Sequence, residues 1–113
     1  MVVPSAGSVV LVPFPFSDLS QRKLRPAVVL ANAGYGDWIL CQVTSRPYAD
    51  TKSVKLTNSD FKKGSLRVVS YARPGKLFTA NQELLVFEVG VLHHKAFDSV
   101  LGAVVGVLRP STN

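Results

Sequence analysis

The chain has 113 residues, of which 13 are Lys or Arg and 7 are Asp or Glu, so its formal net charge is +6 at pH 7. We expect one domain over residues 1–113, because chains of this length seldom divide, and the 47% apolar content supplies a core and excludes disorder. One cysteine, Cys41, and no His or Cys cluster at ligand spacing exclude a disulfide scaffold and a structural zinc site.

The sequence also argues against export and membrane insertion. Its first residues lack the basic region and apolar stretch of a secretory signal. The longest nearly apolar run, Val100 to Leu108, is less than half the roughly 20 residues of a spanning helix. We therefore expect a cytoplasmic protein with no membrane segment.

Positive charge is concentrated in the first two-thirds of the chain. Up to Lys76 there are 11 basic and 4 acidic residues, a balance of +7, whereas the remainder carries −1. A potential of that sign attracts polyanions. A net charge of this size is also ordinary for the solubility of a small domain, so charge alone does not decide.

The first strand is predicted to begin at Ser8. Because Pro13 and Pro15 cannot donate to a ladder, this strand should end near Val12 or run along an edge. The polar stretch Ser17–Leu24 has turn-forming residues and no clear periodicity, which predicts an exposed loop.

A hairpin follows this loop. The apolar run Ala27–Asn32 predicts a buried strand, Asn32–Asp37 supplies turn residues, and Trp38–Ser45 alternates as a second strand. In that strand one face carries Ile39, Cys41 and Val43, and the other carries Trp38, Leu40, Gln42 and Thr44.

Alternation predicts further strands in the middle of the chain. They cover Lys52–Thr57 and Leu66–Arg73, and a short strand Lys76–Thr79 is expected after a turn at Arg73–Gly75.

The C-terminal segment changes to a helical period and is predicted to end at Arg109–Pro110. The expected fold class is mainly β with α: five or six short strands in a small antiparallel barrel, followed by one helix. The apolar stripe of the helix comprises Phe97, Val100, Leu101, Val104, Val105 and Leu108.

Familiar catalytic groups are missing from the sequence. His93 and His94 are adjacent and cannot form an i, i+4 metal pair, so we expect them at the surface or the helix start. Cys41 lies on the more apolar strand face, where a thiol is usually packing. The carboxylates are scattered, and no serine has recognisable triad partners.

What remains is a set of arginine and hydroxyl groups near strand ends: Arg25, Thr44, Ser45 and Arg46. The arginine fork can bind two phosphoryl oxygens and stabilise the charge of a pentacoordinate transition state, and a threonine hydroxyl can donate to the same group. RNA carries its own nucleophile, the 2′-hydroxyl. The alternative is structural: Arg25 pairs with Asp18 or a helix C-terminus, and Thr44 is only a β-branched strand residue.

Two segments have a distinctive pattern: Gly7–Ser20, with its Val-Pro-Phe-Pro-Phe core, and Lys23–Leu30, with the pair Arg25-Pro26. They resemble the opening of the MazF/PemK-like family of toxin endoribonucleases from bacterial toxin–antitoxin modules. Gln42–Ser45 and Leu77–Thr79 agree with later family segments, and the resemblance covers Gly7 to Pro110.

The resemblance implies an SH3-like barrel, a homodimer, and cleavage of single-stranded RNA at a short sequence without a cofactor or metal. It assigns the catalytic arginine to Arg25 and the catalytic hydroxyl to Thr44. Some relatives have a glutamate in the loop before the arginine, where this chain has Ser20, so the general base is not identified.

The same resemblance places further residues along an RNA groove. Ser20, Arg22 and Lys23 would position phosphates rather than read bases. On one strand face, Arg67, Tyr71 and Arg73 would hold unpaired bases, or would simply cover the barrel. Further candidate RNA contacts are Ser45, Arg46 and Lys76.

An antitoxin is the implied protein partner, with a disordered acidic and apolar segment that a basic groove would attract. Two other functions fit a barrel of this kind. One is a non-enzymatic toxin that inhibits a protein such as DNA gyrase, as the CcdB family does. The other is a module that binds RNA without cutting it.

Overall fold

The computed structural model describes residues 2–15 and 22–110, which form an antiparallel sheet and a C-terminal helix. The predicted class, mainly β with one helix, is confirmed, with seven strands in the described part of the chain. The strands are β1 (Ser8–Pro15), β2 (Arg22–Gly34), β3 (Asp37–Thr44), β4 (Val54–Leu56), β5 (Phe61–Gly64), β6 (Ser70–Asn81) and β7 (Phe87–Leu92). The helix α1 is His94–Leu108, and short 3-10 turns occupy Asn58–Asp60 and Gln82–Leu84.

The sheet is curled into a half-barrel with the strand order β4-β6-β3-β2-β1-β7-β5. A flat sheet of seven strands would place its edge strands about 29 Å apart. Here the two edges are consecutive in the chain, and the five residue steps from Leu56 to Phe61 reach at most about 18 Å. The sheet must therefore bend toward itself.

Apolar residues pack on both faces of the sheet, as the alternation of β3 predicts. On the face covered by α1, Cys41 and Val43 lie in a core with Val100 and Val104 of the helix. On the other face, Leu40 belongs to a second core. The remaining members of that second core are Val10, Val12, Ala27, Val29, Ala80 and Leu85.

The helix begins three residues earlier than its apolar stripe and ends where Arg109–Pro110 predicts. Only part of the predicted stripe is core. Val100 and Val104 are buried, but Leu101, Val105 and Leu108 are exposed, because α1 packs against β4 and β6 along one narrow side.

Pairing between β1 and β2 decides one prediction in the first half of the chain and corrects another. β1 continues through Pro13 and Pro15, where it is paired only with β2, so the predicted edge alternative is confirmed for its second half. Arg22–Leu24 of the predicted loop belong to β2, since they pair with Pro13–Pro15. The rest of that loop lies outside the described residues.

The predicted turn at Arg73–Gly75 is a bulge inside one strand. β6 pairs with β3 on both sides of it: Ala72 opposes Val43, and Leu77 opposes Cys41. Four residues, Arg73 to Lys76, therefore lie opposite Gln42 alone. The predicted strands Leu66–Arg73 and Lys76–Thr79 are accordingly replaced by β6, which begins at Ser70.

β5 and β7 have no counterpart in the sequence predictions. They meet at Gly64 and Gly90, which are register partners. A Cβ atom on Gly64 would lie 2.1 Å from the carbonyl oxygen of Val89, and the φ of Gly64 is +71°. Glycine is thus needed here for the close approach of the two backbones.

Candidate functional site

A groove opens where β2 and β3 stop pairing. Their ladder ends at Ala27 and Gln42, and the next residue of β2 is Pro26, which has no amide hydrogen to donate. The groove has a volume of about 840 Å³. Its described walls come from β2, the end of β3, the segment 64–70, and Phe87 and Val89 of β7.

Arg25 and Thr44 line this groove together. Continuing the antiparallel register two residues beyond the Ala27–Gln42 pair places Arg25 opposite Thr44. Both side chains are half-buried, so their interactions are screened less than those of fully exposed groups.

The Thr44 hydroxyl is oriented by the backbone of Arg46. Its Oγ accepts a hydrogen bond from the Arg46 amide at 3.1 Å and donates to the Arg46 carbonyl at 3.3 Å. The donated bond is longer than the usual 2.7–2.8 Å for O–H···O, which makes it weak. The hydroxyl hydrogen can therefore turn to a better acceptor in the groove at little cost.

The groove is positively charged. Lys23, Arg25 and Arg67 line it, and its described lining residues include no carboxylate or imidazole. Arg67 is held on the wall by a left-handed backbone, with φ of +69°. Its amide donates to Ser65 Oγ at 2.8 Å, and Ser65 Oγ in turn donates to Asn58 Oδ1.

Apolar side chains are exposed between these charges. Phe87 is 58% accessible, and Leu24 and Val68 also have large exposed areas. Sequence reasoning missed Phe87, Val68 and Ser65 as groove residues. The signal in the sequence was an aromatic residue in an otherwise alternating apolar run, Phe87–Leu92, which was not recognised as a strand.

Only some of the other predicted RNA contacts line this groove. Ser45 lines the groove beside Thr44, whereas Arg46 and Tyr71 are not among its lining residues. Tyr71 lies opposite Thr44 in the register of β6 and β3. Ser20 lies outside the described residues, and Arg22 is described only as the first residue of β2.

The predicted single face carrying Arg67, Tyr71 and Arg73 does not form. Arg67 precedes β6 and lines the groove, because β6 begins only at Ser70. Arg73 lies in the bulge, where its Nε donates to Asp50 Oδ2 at 2.9 Å. Arg73 and Lys76 line a second groove instead.

The remaining candidate reactive groups have structural surroundings. Cys41 is fully buried, and this burial raises the pKa of its thiol to about 12. Its Sγ donates a hydrogen bond to the Arg73 carbonyl at 3.2 Å. His93 precedes the helix, and its Nε2 lies 2.6 Å from the Ser59 carbonyl oxygen. His94 pairs with Asp98 on the exposed helix surface. The described residues hold no group of three potential metal ligands.

Comparison with known proteins identifies a family. A family model described as PemK-like, MazF-like toxin of type II toxin–antitoxin system matches residues 5–108. No curated protein matches the sequence. None of the helices within residues 2–15 and 22–110 is long and apolar enough to cross a membrane.

Several solved structures share the fold. The form II MazE–MazF structure from Deinococcus radiodurans has a TM-score of 0.77 at 22% identity, covering 98% of this chain and 100% of the other. MazF from the same organism gives 0.72 at 24% identity, covering 96% and 98%. An endoribonuclease from a Mycobacterial species gives 0.71 at 17% identity, covering 96% and 93%. Identities this low show likeness of fold alone.

Proposed function

The chain belongs to the PemK-like, MazF-like toxins of type II toxin–antitoxin systems, and on that premise we propose that it is an endoribonuclease that cleaves single-stranded RNA. The observation that carries the proposal is the presence of Arg25 and Thr44 in one basic groove. A permanently charged fork and a hydroxyl there suit a phosphodiester. The endoribonuclease of similar fold from a Mycobacterial species supports the same activity.

The proposed reaction uses the nucleophile of the substrate itself. The 2′-oxygen attacks the adjacent phosphorus, the O2′–P bond forms, and the P–O5′ bond breaks. The 2′-hydroxyl loses a proton and the 5′-oxygen gains one, so the products end in a 2′,3′-cyclic phosphate and a 5′-hydroxyl. In this proposal solvent water accepts the proton of the 2′-hydroxyl and returns one to the 5′-oxygen.

The two central residues stabilise the charge that develops on the phosphoryl oxygens. Arg25 donates two hydrogen bonds to the non-bridging oxygens, and Thr44 turns its hydroxyl from the Arg46 carbonyl to one of the same oxygens. Such donors accelerate a reaction when they are already oriented before the charge appears. Because the substrate supplies the nucleophile and Arg25 supplies the charge, the proposed reaction needs no metal ion.

The rest of the groove suits an unpaired strand. Lys23 and Arg67 are exposed cations that can position neighbouring phosphates, and the exposed ring of Phe87 can stack on a base. In a duplex each base is stacked between its neighbours, so it has no free face for such a ring. We propose that sequence specificity arises from which bases fit against Phe87 and the neighbouring groove residues.

We also propose an antitoxin partner and a homodimer. The fold is shared with MazE–MazF structures and with an endoribonuclease in complex with its cognate antitoxin. An acidic and apolar segment complements a groove that combines Lys23, Arg25 and Arg67 with exposed Leu24, Val68 and Phe87. Occupation of this groove would block RNA.

The test is incubation of the purified protein with a long single-stranded RNA in excess EDTA. Discrete fragments with 2′,3′-cyclic phosphate ends are expected, and the same RNA annealed to its complement should resist cutting. Intact RNA, or cutting that is lost only on chelation, would contradict the proposal. Tight, salt-sensitive binding with no fragments would identify an RNA-binding module instead.

A further inference from the structure

We infer that a second groove, on the other side of the β3 terminus, is an RNA-binding subsite that holds nucleotides away from the cleaved bond. This inference rests on the proposed function and extends it to a part of the surface outside the first groove. The second groove has a volume of about 610 Å³. It is lined by Tyr48, Asp50, Lys52, Arg73, Lys76 and Val107, among others.

The β6 bulge builds one wall of the second groove. Four residues opposite one cannot all follow the ladder, and three of them, Arg73, Gly75 and Lys76, line this groove. The facing wall is the segment 47–52. Bulges of this kind commonly redirect side chains toward a binding surface.

The charges in this groove leave two cations available. Arg73 is committed to Asp50, since the two form an ion pair at 2.9 Å with side chains only 26% and 15% accessible. Lys52 and Lys76 are exposed, and neither has an ion-pair partner among the described residues. Asp50 is paired with Arg73 and also lies near Lys52, but it is one carboxylate among three cations that line this groove, so the lining residues carry a net positive charge.

Tyr48 presents an aromatic ring at the groove without a folding benefit. Its side chain is 85% accessible, so it contributes almost no burial. It is also the second residue of a turn closed by the Asp50 amide and the Pro47 carbonyl at 3.0 Å, where its φ is +55°. A bulky residue at positive φ is disfavoured, and glycine or asparagine would satisfy this turn better. Tyr35 has the same φ and is at least as exposed, but it lines neither groove, so what distinguishes Tyr48 is its position beside the cations of the second groove.

The two grooves adjoin along the chain. Thr44 and Ser45 line the first, and the second begins at Pro47. Two residue steps span at most about 7 Å, so Ser45 of the first groove and Pro47 of the second lie within that distance of each other. In β6 likewise, Ser70 lines the first groove and Arg73 lines the second.

Single-stranded RNA is the ligand that this combination favours. An exposed aromatic face beside spaced ammonium groups is the usual platform for unpaired nucleotides, because every base can stack and every linkage carries charge. An acidic and apolar segment would need several exposed apolar side chains, as the first groove has at Leu24, Val68 and Phe87. Among the described lining residues of the second groove only Tyr48 is a large exposed apolar side chain, so this groove favours RNA over such a segment.

The experiment compares two substrates that share one cleavage site. The site is first mapped in a long RNA, and then a strand of about 5 nucleotides, which fills the first groove only, is compared with one of about 16. Wild-type protein should cleave both and have a lower KM for the longer one. Tyr48→Ala and the double variant Lys52→Gln/Lys76→Gln should raise the KM of the longer RNA about tenfold, with kcat and the short substrate unchanged.

Matched variants separate the groove from general charge and folding. Lys62→Gln/Lys95→Gln makes the same charge change at exposed positions outside both grooves and should leave the length preference intact. Tyr48→Phe should keep the preference. Tyr48→Gly should raise the Tm, because it relieves the positive φ, while it removes the preference.

The outcomes distinguish this inference from the proposed function. Cleavage of the short RNA by wild-type protein, with a length preference that the groove variants do not alter, would overturn the inference and leave the nuclease activity standing. Variants that weaken binding of an acidic peptide but not of RNA would also overturn it. If neither RNA is cleaved, both the function and the subsite are refuted.

Discussion

Replacing Arg25 with alanine should slow the chemical step of RNA cleavage by a factor of about 100 to 1,000. A guanidinium about 4 Å from the developing phosphoryl charge, at an effective dielectric constant near 20, contributes about 4 kcal/mol. Removal of one oriented donor from an oxyanion site costs a similar ~2.7–4 kcal/mol. The half-buried position of Arg25 in the groove justifies this intermediate dielectric constant rather than that of water.

The assay is single-turnover cleavage of an end-labelled RNA, with protein in excess, so that chemistry is separated from binding. Arg25→Lys keeps the charge but not the fork and should lose about tenfold. Arg67→Ala, on the facing wall, is the matched control and should raise KM with little change in the single-turnover rate. Because Arg25 also interacts within the fold, thermal unfolding must show that the variant is folded. A folded Arg25→Ala protein that cuts at the wild-type rate would refute the assignment.

Four further outcomes follow from other parts of the structure. Thr44→Val should lower the single-turnover rate about tenfold or more, since a hydrogen bond to a charged group contributes about 1.5–3 kcal/mol. Thr44→Ser, which keeps the hydroxyl, should restore the rate. Equal rates for the valine and serine variants would exclude a role for the hydroxyl. Phe87→Ala should weaken RNA binding by about 1–3 kcal/mol in a titration at fixed salt, and Phe87→Trp should not. The Cys41 thiol, whose pKa burial raises to about 12, should react with a thiol reagent at pH 8 only after unfolding. The hydrogen bond from Arg73 lowers the pKa of Asp50. The ion pair therefore stabilises the fold above the ordinary Asp pKa of about 3.9, and this stabilisation is lost as the pH falls below that value. The Tm difference between wild type and Asp50→Asn should shrink from pH 7 to pH 2, and a constant difference would contradict this.

The sequence predicts strands well where one strand has a simple local pattern. β3 alternates cleanly, and its two faces do enter two different cores, which hold Leu40 on one side and Cys41 on the other. β7 lacks this clarity, because Phe87 is exposed and Gly90 is buried. Its strand pairing depends on β1 and β5, which no local pattern reveals.

The β6 bulge shows how tertiary pairing can override a strong local signal. Arg73-Pro74-Gly75 has the composition of a turn, and in isolation it would reverse the chain. Here Ala72 and Leu77 are both held by β3, so the segment is forced to loop out and the strand continues. Pro74 is buried in the bulge, where the ladder needs no amide hydrogen from it.

The candidate site also contains residues that local sequence patterns reveal and residues that they do not. The positions of Arg25 and Thr44 could be predicted because Arg25 immediately precedes a recognisable apolar run and Thr44 ends a recognisable strand, and a hairpin brings such residues to the same end of the sheet. Phe87 could not, because it reaches the groove from a strand more than 40 residues further along the chain. A groove with walls from several distant segments has no signature in any one of them.

Counting charges along the sequence also overstates how many cations can bind RNA. Arg73 was predicted as an RNA contact with Arg67, but Asp50 neutralises it, and the pair instead holds the 47–52 segment against the bulge. Its effect on RNA binding would then be indirect, through the positions of Lys52 and Tyr48. Only part of the exposed positive charge, at Lys23, Arg67, Lys52 and Lys76, lies in the two grooves, where the surrounding low-dielectric walls focus the potential. For this chain, the position of a cation relative to a groove and a carboxylate therefore matters more than the net charge of +6.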